Sequence, residues 1–357
     1  MDLIASREGR LGRILLNRPQ ALNTLTLPMV REFRRALDDF GRDAGIRAVL
    51  VTGAGDRGLC AGGDVRTLYE LESSQKRLFA EFWREEYELN ARIASFPKPY
   101  VVVMDGIVMG GGVGISAHGN RRVVTERSRI AMPEVGIGFF PDVGASWLLS
   151  KACEIGVYLA LSATSVAAAD AIEAGLADVL IHAEDVESLI GDLATIKAAE
   201  DVDDALRHLA RQPGRGRLTL RRRLLAEMTA REKVEDIIAA FEGDESEFSL
   251  QAADEIRAKS PTALKVTRAL LLRAAGAPDL ETCLTNEFKA ACRMLATHDL
   301  YEGVRAAIID KDRRPRWSPD RLDAVSDKTV EDILAGDDTL LPAFKSWDSS
   351  PYSHWES

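Results

Sequence analysis

Tyr100-Val101-Val102-Val103-Met104, then Met109-Gly110-Gly111-Gly112-Val113-Gly114, then Met132-Pro133-Glu134-Val135-Gly136-Ile137-Gly138-Phe139-Phe140-Pro141-Asp142 make up the part of the chain on which its reading turns. A β-branched run followed by glycines and by Ile115-Ser116-Ala117 predicts a strand, a turn and a helix start. At such a turn the first backbone N–H groups of the helix have no partner inside it, and glycine lets a ligand approach them closely. Free donors of this kind suit an oxygen that gains negative charge during a reaction. Glu134 and Asp142 bring carboxylates into the same glycine- and proline-rich segment. Donors together with acids point to acyl chemistry.

Outward from this stretch, Leu59-Cys60-Ala61-Gly62-Gly63-Asp64 forms a second glycine turn after the strand-like run Arg47-Ala48-Val49-Leu50-Val51-Thr52. Converging N–H groups from two such turns make an oxyanion hole, in which each donor is worth about 2.7–4 kcal/mol in the transition state. Other readings of the same residues fare less well. Gly112-Val113-Gly114-Ile115-Ser116-Ala117 fits the dinucleotide pattern G-x-G-x-x-A, but that fingerprint needs the opening βαβ unit and this copy lies deep in the chain. No G-K-[ST] follows either glycine turn, so a P-loop is excluded. Ser116 lacks the G-x-S-x-G frame of a nucleophile elbow, and His118 reads as a core histidine. Taken alone, Asp142 after Pro141 has a helix N-cap as its default role, and Glu86 on a charged helix has that of a solvated or ion-paired side chain.

Strand patterns alternate with helical ones up to about residue 185, which predicts an α/β core. Leu11–Leu16 and Arg47–Thr52 read as strands, and Met29, Val30, Phe33, Ala36, Leu37 and Phe40 recur at helical spacing. Leu78 to Ile93 is helical and heavily charged, and Phe96-Pro97-Lys98-Pro99 ends it. From Val186 onward helical periodicity dominates. The expected division is a core over 1–185, a helical C-terminal region over 186–325 and a surface tail over 326–357.

The 357 residues suffice for a sizeable core, and 46% apolar with 29% charged residues is the composition of an ordinary globular protein. A net charge of -10 argues against general nucleic-acid binding. Cys60, Cys153, Cys283 and Cys292 form no C-x-x-C pair, so neither a zinc site nor a disulfide framework is expected. Met1-Asp2-Leu3-Ile4 is not the basic start of a signal peptide, and no apolar run nears the roughly 18 residues of a bilayer span. A cytoplasmic location with no membrane partner is the expectation. Arg215, Arg217, Arg221, Arg222 and Arg223 form a basic cluster that reads first as a solvated helix end, and second as a phosphate or RNA contact.

Several segments together resemble the crotonase (enoyl-CoA hydratase/isomerase) superfamily, and within it the branch of 3-hydroxyisobutyryl-CoA hydrolases. They are Asn17-Arg18-Pro19 with Ala21-Leu22-Asn23, Cys60-Ala61-Gly62-Gly63-Asp64, Phe82-Trp83-Arg84-Glu85-Glu86-Tyr87, Asp105-Gly106-Ile107-Val108-Met109-Gly110-Gly111-Gly112, and the Met132–Asp142 segment with Val143-Gly144. Ser260-Pro261-Thr262, Glu302-Gly303-Val304-Arg305 and Asp310-Lys311-Asp312 with Arg316-Trp317 extend the likeness over about residues 10 to 320. The resemblance implies a core of repeated β-β-α units in two sheets, followed by helices that help cover the site. It implies a thioester carbonyl held by the N–H groups of Gly63 and Gly111, with Glu134 and Asp142 as catalytic acids. By the same carry-over Glu86 contacts the acyl group, and Ala21, Asn23, Ala61 and Asp64 lie near bound coenzyme A.

One departure matters. Hydratases carry a glutamate a few residues after the triple glycine, and here that place is Gly114. The implied activity is therefore hydrolysis of 3-hydroxy-2-methylpropanoyl-CoA in valine breakdown. A hydratase or Δ3,Δ2-enoyl-CoA isomerase working with Glu134 alone is the alternative, and a non-catalytic acyl-CoA- or RNA-binding protein is the alternative of another class. No metal or redox cofactor is implied, since coenzyme A belongs to the substrate. Crotonases often form trimers or hexamers, so a homo-oligomer is possible.

Overall fold

The computed structural model describes residues 1–70, 76–336 and 340–347. Its strands are β1 (Leu3–Glu8), β2 (Leu11–Leu16), β3 (Ala48–Gly53), β4 (Tyr100–Met104), β5 (Ile107–Met109), β6 (Arg121–Val124), β7 (Arg129–Ala131) and β8 (Val179–Leu180). The main sheet runs β1-β2-β3-β4-β6-β8, and β5 with β7 forms a small second sheet. Only β1 is antiparallel to its neighbour in the main sheet; every other pairing there is parallel. This is the α/β architecture of two sheets and a helical C-terminal region that the sequence led us to expect.

The two sheets arise from one repeated device. After β4 the chain turns at Gly106, whose φ of +60° suits glycine, and leaves the main sheet to enter the small one as β5. β6 and β7 repeat the move, and residues 58–60 follow β3 in the same way, bridging to Gly106 and Val108. Each unit thus delivers its second strand, and the turn after it, to a common place.

Continuous apolar runs such as Tyr100–Met104 are explained by burial on both sheet faces. Tyr100, Val102 and Met104 join Val49 and Val51 in the main core with Phe33, Leu37 and Tyr87. Val101 and Val103 join Ala48 and Leu50 on the far face, against Leu189, Leu193, Val202 and Leu206. Those residues belong to the Val186–Thr195 and Asp201–Leu209 helices. The start of the helical region therefore completes the sheet's far side rather than standing apart from it.

Beyond it, the Val234–Asp244, Glu247–Arg257, Pro261–Ala275 and Leu280–Met294 helices pack on the near side. Ser246, Ser260 and Asp279 cap three of them, each side chain accepting from the N–H three residues on. The His298–Val304 helix lies on the segment that carries Glu134, with no room for a side chain at Gly303 against Ile137 or at Gly138 against Asp299.

The expected surface tail needs correction over part of its length. Asp327–Ala335 is a helix with Val330, Ile333 and Leu334 buried, because these residues recur at helical spacing and face the Pro261–Ala275 and Leu280–Met294 helices. Trp347 packs edge-on against Phe96 and under the Arg92 guanidinium. Residues 337–339 and 348–357 of that tail lie outside the described residues.

Candidate active site

The two glycine turns lie back to back. Pairing of residues 58–60 with β5, through Met109 N–H to Cys60 O at 2.9 Å, brings them level. Gly62 at φ +107° and Gly110 at φ +51° then turn the chain, a conformation that side chains at either place would strain. A Cβ on Gly111 would stand 3.4 Å from Gly63 N and against Glu86 Oε1; one on Gly62 would stand 3.6 Å from Gly111 N. Among the described residues neither the Gly63 nor the Gly111 N–H donates to another backbone carbonyl. The two donors share one cleft.

Three carboxylates line it. Glu134 begins a tight turn straight after β7 and Met132-Pro133, and its Oε1 lies 2.7 Å from where a Cβ on Gly110 would be. Glu86 reaches in from the Lys76–Ala94 helix. Glu86 Oε1 and Glu134 Oε2 are buried without a hydrogen-bond partner. Asp142 Oδ2 accepts a bond of 2.7 Å from the buried Tyr87 hydroxyl. Asp142 is not the helix cap that its sequence position favoured. Gly144 fills the cap position of the Ala145–Ser150 helix with no side-chain bond, which leaves the Asp142 carboxylate free to face Tyr87.

Burial is the main force on the charges here. It lifts Glu134 well above the ordinary carboxylate range, with the negative charge of Asp142 adding to the rise. Glu86 is lifted in the same way, first by burial and then by Asp142. Burial raises Asp142 to about 7, against the opposing effect of the Tyr87 hydrogen bond. Carboxylates this close do not all ionise together, so the cluster holds protons near neutrality.

The loop carrying Asp142 is clamped from two sides. His118 Nε2 lies 2.7 Å from Val143 O, and burial pushes this imidazole down to about 4, so it is neutral. Opposite it, Glu287 accepts from Gly144 N at 2.6 Å, Ser146 N at 2.9 Å and Ser146 Oγ at 2.5 Å. Burial raises Glu287 to about 8 despite those bonds.

Of the remaining candidates, Asn23 is not placed to meet a ligand. It is 1% exposed, with Nδ2 donating to Ala54 O and Gly58 O and Oδ1 accepting from Arg18 N. At φ +56° it ties the turn after β2 to the loop after β3, a task suited to asparagine. Asp64 pairs with Arg18 at 3.1 Å, Ala61 N–H donates to Leu22 O, and Ala21, Ala61 and Asp64 are all partly exposed. Ser116, fully buried just past the glycine helix, spends its hydroxyl on Gly112 O at 2.6 Å. Burial pushes the Cys60 thiol up to about 12, which makes it inert as one. In the basic cluster, Arg222 pairs with Glu154 and Glu173, and Arg221 donates to Arg217 O and sits over Phe248.

Tyr87 and Glu287 did not emerge from the sequence as site residues. The signal for Glu287 is its place in the apolar stripe Leu280, Cys283, Leu284, Phe288, Ala291, Met294 of its helix. A charge in a buried stripe needs partners, and these are found 141 residues and more away.

A sheet pair that delivers converging amide donors to a cluster of buried acids defines the class: the chain belongs to the enoyl-CoA hydratase/isomerase family, whose model matches residues 11–334. It is a crotonase-family acyl-CoA enzyme. The mitochondrial 3-hydroxyisobutyryl-CoA hydrolase of Rattus norvegicus is 38% identical over 92% of this chain and 87% of its own length. Among solved structures, a carnitinyl-CoA dehydratase from Mycobacterium thermoresistibile is 42% identical, with a TM-score of 0.92 over 97% of this chain and 99% of that one. An enoyl-CoA hydratase from Rhodobacter sphaeroides is 36% identical, with a TM-score of 0.89 over 96% of this chain and all of that one. No described helix is long and apolar enough to cross a membrane.

Proposed function

We propose that this enzyme hydrolyses a short 3-hydroxyacyl-CoA thioester, 3-hydroxy-2-methylpropanoyl-CoA, to the free hydroxy acid and coenzyme A. The observation that carries the reading is the buried Glu134 carboxylate, with Oε2 unpartnered and Oε1 against Gly110, the residue before the Gly111 amide. With the carbonyl oxygen on those amides, Glu134 stands by the carbonyl carbon. It acts there as general base to water or as nucleophile forming a mixed anhydride; both routes use the same carboxylate. The oxyanion that forms is held by the two N–H groups. In the general-base route its collapse breaks the C–S bond, and the proton that Glu134 took from water leaves with the thiolate. In the anhydride route the thiolate takes its proton from a protonated acid of the cluster. Water then cleaves the anhydride, freeing the hydroxy acid and Glu134 and returning that proton. Asp142, Tyr87 and Glu86 are further polar contacts for the acyl group.

Gly114 favours hydrolysis over hydration. A Cβ there would stand 2.7 Å from Val143 Cβ and 2.9 Å from Asn90 Nδ2, so a second glutamate has no room at that position. Hydration or dehydration is the second reading, favoured by the names of the solved relatives. A thiol-trapping assay separates the two: rapid release of free coenzyme A from 3-hydroxy-2-methylpropanoyl-CoA is expected. Water addition to an unsaturated thioester without thiol release would replace the hydrolase reading. A cytoplasmic location belongs to this proposal as well, set beside relatives whose names place them in mitochondria.

The raised acids set a pH dependence. A base must be ionised to act, and Glu134 is held well above the ordinary glutamate range, first by burial and then by Asp142. Activity is therefore expected to keep climbing with pH beyond about pH 5, where it would level off for a glutamate of about 4.3. A profile of kcat/KM already flat between about pH 5 and 8 would remove Glu134 as the titrating base.

A further inference from the structure

Asn90 is fully buried, yet both its side-chain atoms, Nδ2 and Oδ1, lack a hydrogen-bond partner. Burying an amide with neither group satisfied is costly, and native cores avoid it unless something else fills the site. Its position says what that is. Asn90 lies four residues after Glu86 on the Lys76–Ala94 helix, hence on the same face one turn further on. Opposite, Gly111 and Gly114 share a face of the glycine helix in the same way. Glu86 Oε1 abuts Gly111, and Asn90 Nδ2 lies 2.9 Å from where a Cβ on Gly114 would be. Residue 114 has no side chain to meet the amide, which lies buried and unpaired close to Val143, the neighbour of Asp142.

The two helices thus hold two polar levels. The first is the carbonyl level, with Gly63, Gly111 and Glu86. The second lies about 4.5–6 Å further along, three residues of the glycine helix and four of the other at 1.5 Å each. A hydroxyl on the third acyl carbon is three single bonds of about 1.5 Å from the carbonyl carbon. Adding a hydrogen bond of about 2.8 Å reaches the second level. A hydroxyl both donates and accepts, and the Asn90 amide offers a group for each.

We propose that Asn90 forms a hydroxyl-binding subsite at the floor of the acyl pocket, selecting 3-hydroxyacyl thioesters over unhydroxylated ones of the same shape. The proposal rests on the cleft being the acyl-CoA site and names the part of the substrate that this chain reads. A longer acyl chain would drive methylene groups onto the unsatisfied amide, so the subsite selects by length as well as by polarity.

The test compares 3-hydroxy-2-methylpropanoyl-CoA with 2-methylpropanoyl-CoA, in wild type and in Asn90→Leu, which keeps the volume and removes both polar groups. The wild-type ratio of kcat/KM should favour the hydroxylated thioester by about tenfold or more, and Asn90→Leu should bring it close to one. Calorimetric binding of the two non-hydrolysable thioether analogues gives the same ratio without chemistry. If no thiol is released but the binding preference exists and Asn90→Leu abolishes it, the hydrolase reading fails and the subsite stands. A wild-type ratio near one, or a ratio that Asn90→Leu leaves within about twofold, overturns the subsite. A merely structural Asn90 would lower the melting temperature on substitution and leave the ratio unmoved. For a hydroxyl-reading amide the apolar variant melts at the same temperature or higher. Asn90→Ala, which opens space instead of filling it, supports the same comparison if the leucine variant does not fold.

Discussion

Glu134→Gln is expected to lower kcat by about 10²–10⁴-fold while leaving the binding of a non-hydrolysable thioether analogue within a few-fold of wild type. Glutamine preserves the shape of a side chain that is 7% exposed and removes its ability to take a proton or attack a carbonyl. Binding should persist because the Gly63 and Gly111 amides, which hold the carbonyl, are untouched. It could even tighten, since an isosteric neutral group removes one member of a crowded set of acids. Stopped-flow thiol detection and calorimetry on the same preparation would read both quantities. Full turnover in the variant would take the reaction away from this carboxylate, and with it the hydrolytic mechanism.

Gly111→Ala should be as severe for a different reason. The added methyl would run into Glu86 Oε1, stand 3.2 Å from Leu25 Cδ1 and fall 3.4 Å from Gly63 N. It would therefore occupy the space that the carbonyl oxygen needs and screen both donors at once. Loss of one oxyanion donor costs about 10²–10³ in kcat, and obstruction of the pair should exceed that. KM should rise as well, which Glu134→Gln would not cause. Circular dichroism would show whether the fold survives. A folded Gly111→Ala variant with activity near wild type would mean that the carbonyl does not sit between these turns.

Much of this site was legible before any coordinates. The glycines at 62–63 and 110–112 announce turns that need positive φ and open backbone donors, and the structure places them 3.6 Å apart by the measure of a Cβ on Gly62 to Gly111 N. The acids at 134 and 142 were legible because they share one segment with those turns. What the sequence hid depended on contacts between distant stretches. Tyr87 reaches Asp142 across 55 residues and Glu287 reaches Ser146 across 141, and no local pattern carries such pairings. Asn23 misled for the opposite reason. It stands in a segment that marks the family, yet its amide is spent on backbone groups. For Asp142 the local pattern alone favoured a helix cap while the resemblance gave it a catalytic role, and the hydrogen bond from Tyr87 shows that its side chain is not spent on a cap. The tail was misread because an acidic composition masked a stripe of Val330, Ile333 and Leu334.

The twofold clamp on the Asp142 loop has a consequence for anyone wishing to shorten this protein. Glu287 reaches that loop from a helix that begins at Leu280, far downstream of the last strand. A trimmed version that kept every strand and both glycine turns would still lose the downstream anchor of its acid. The smallest working catalyst is therefore much larger than the part that looks catalytic.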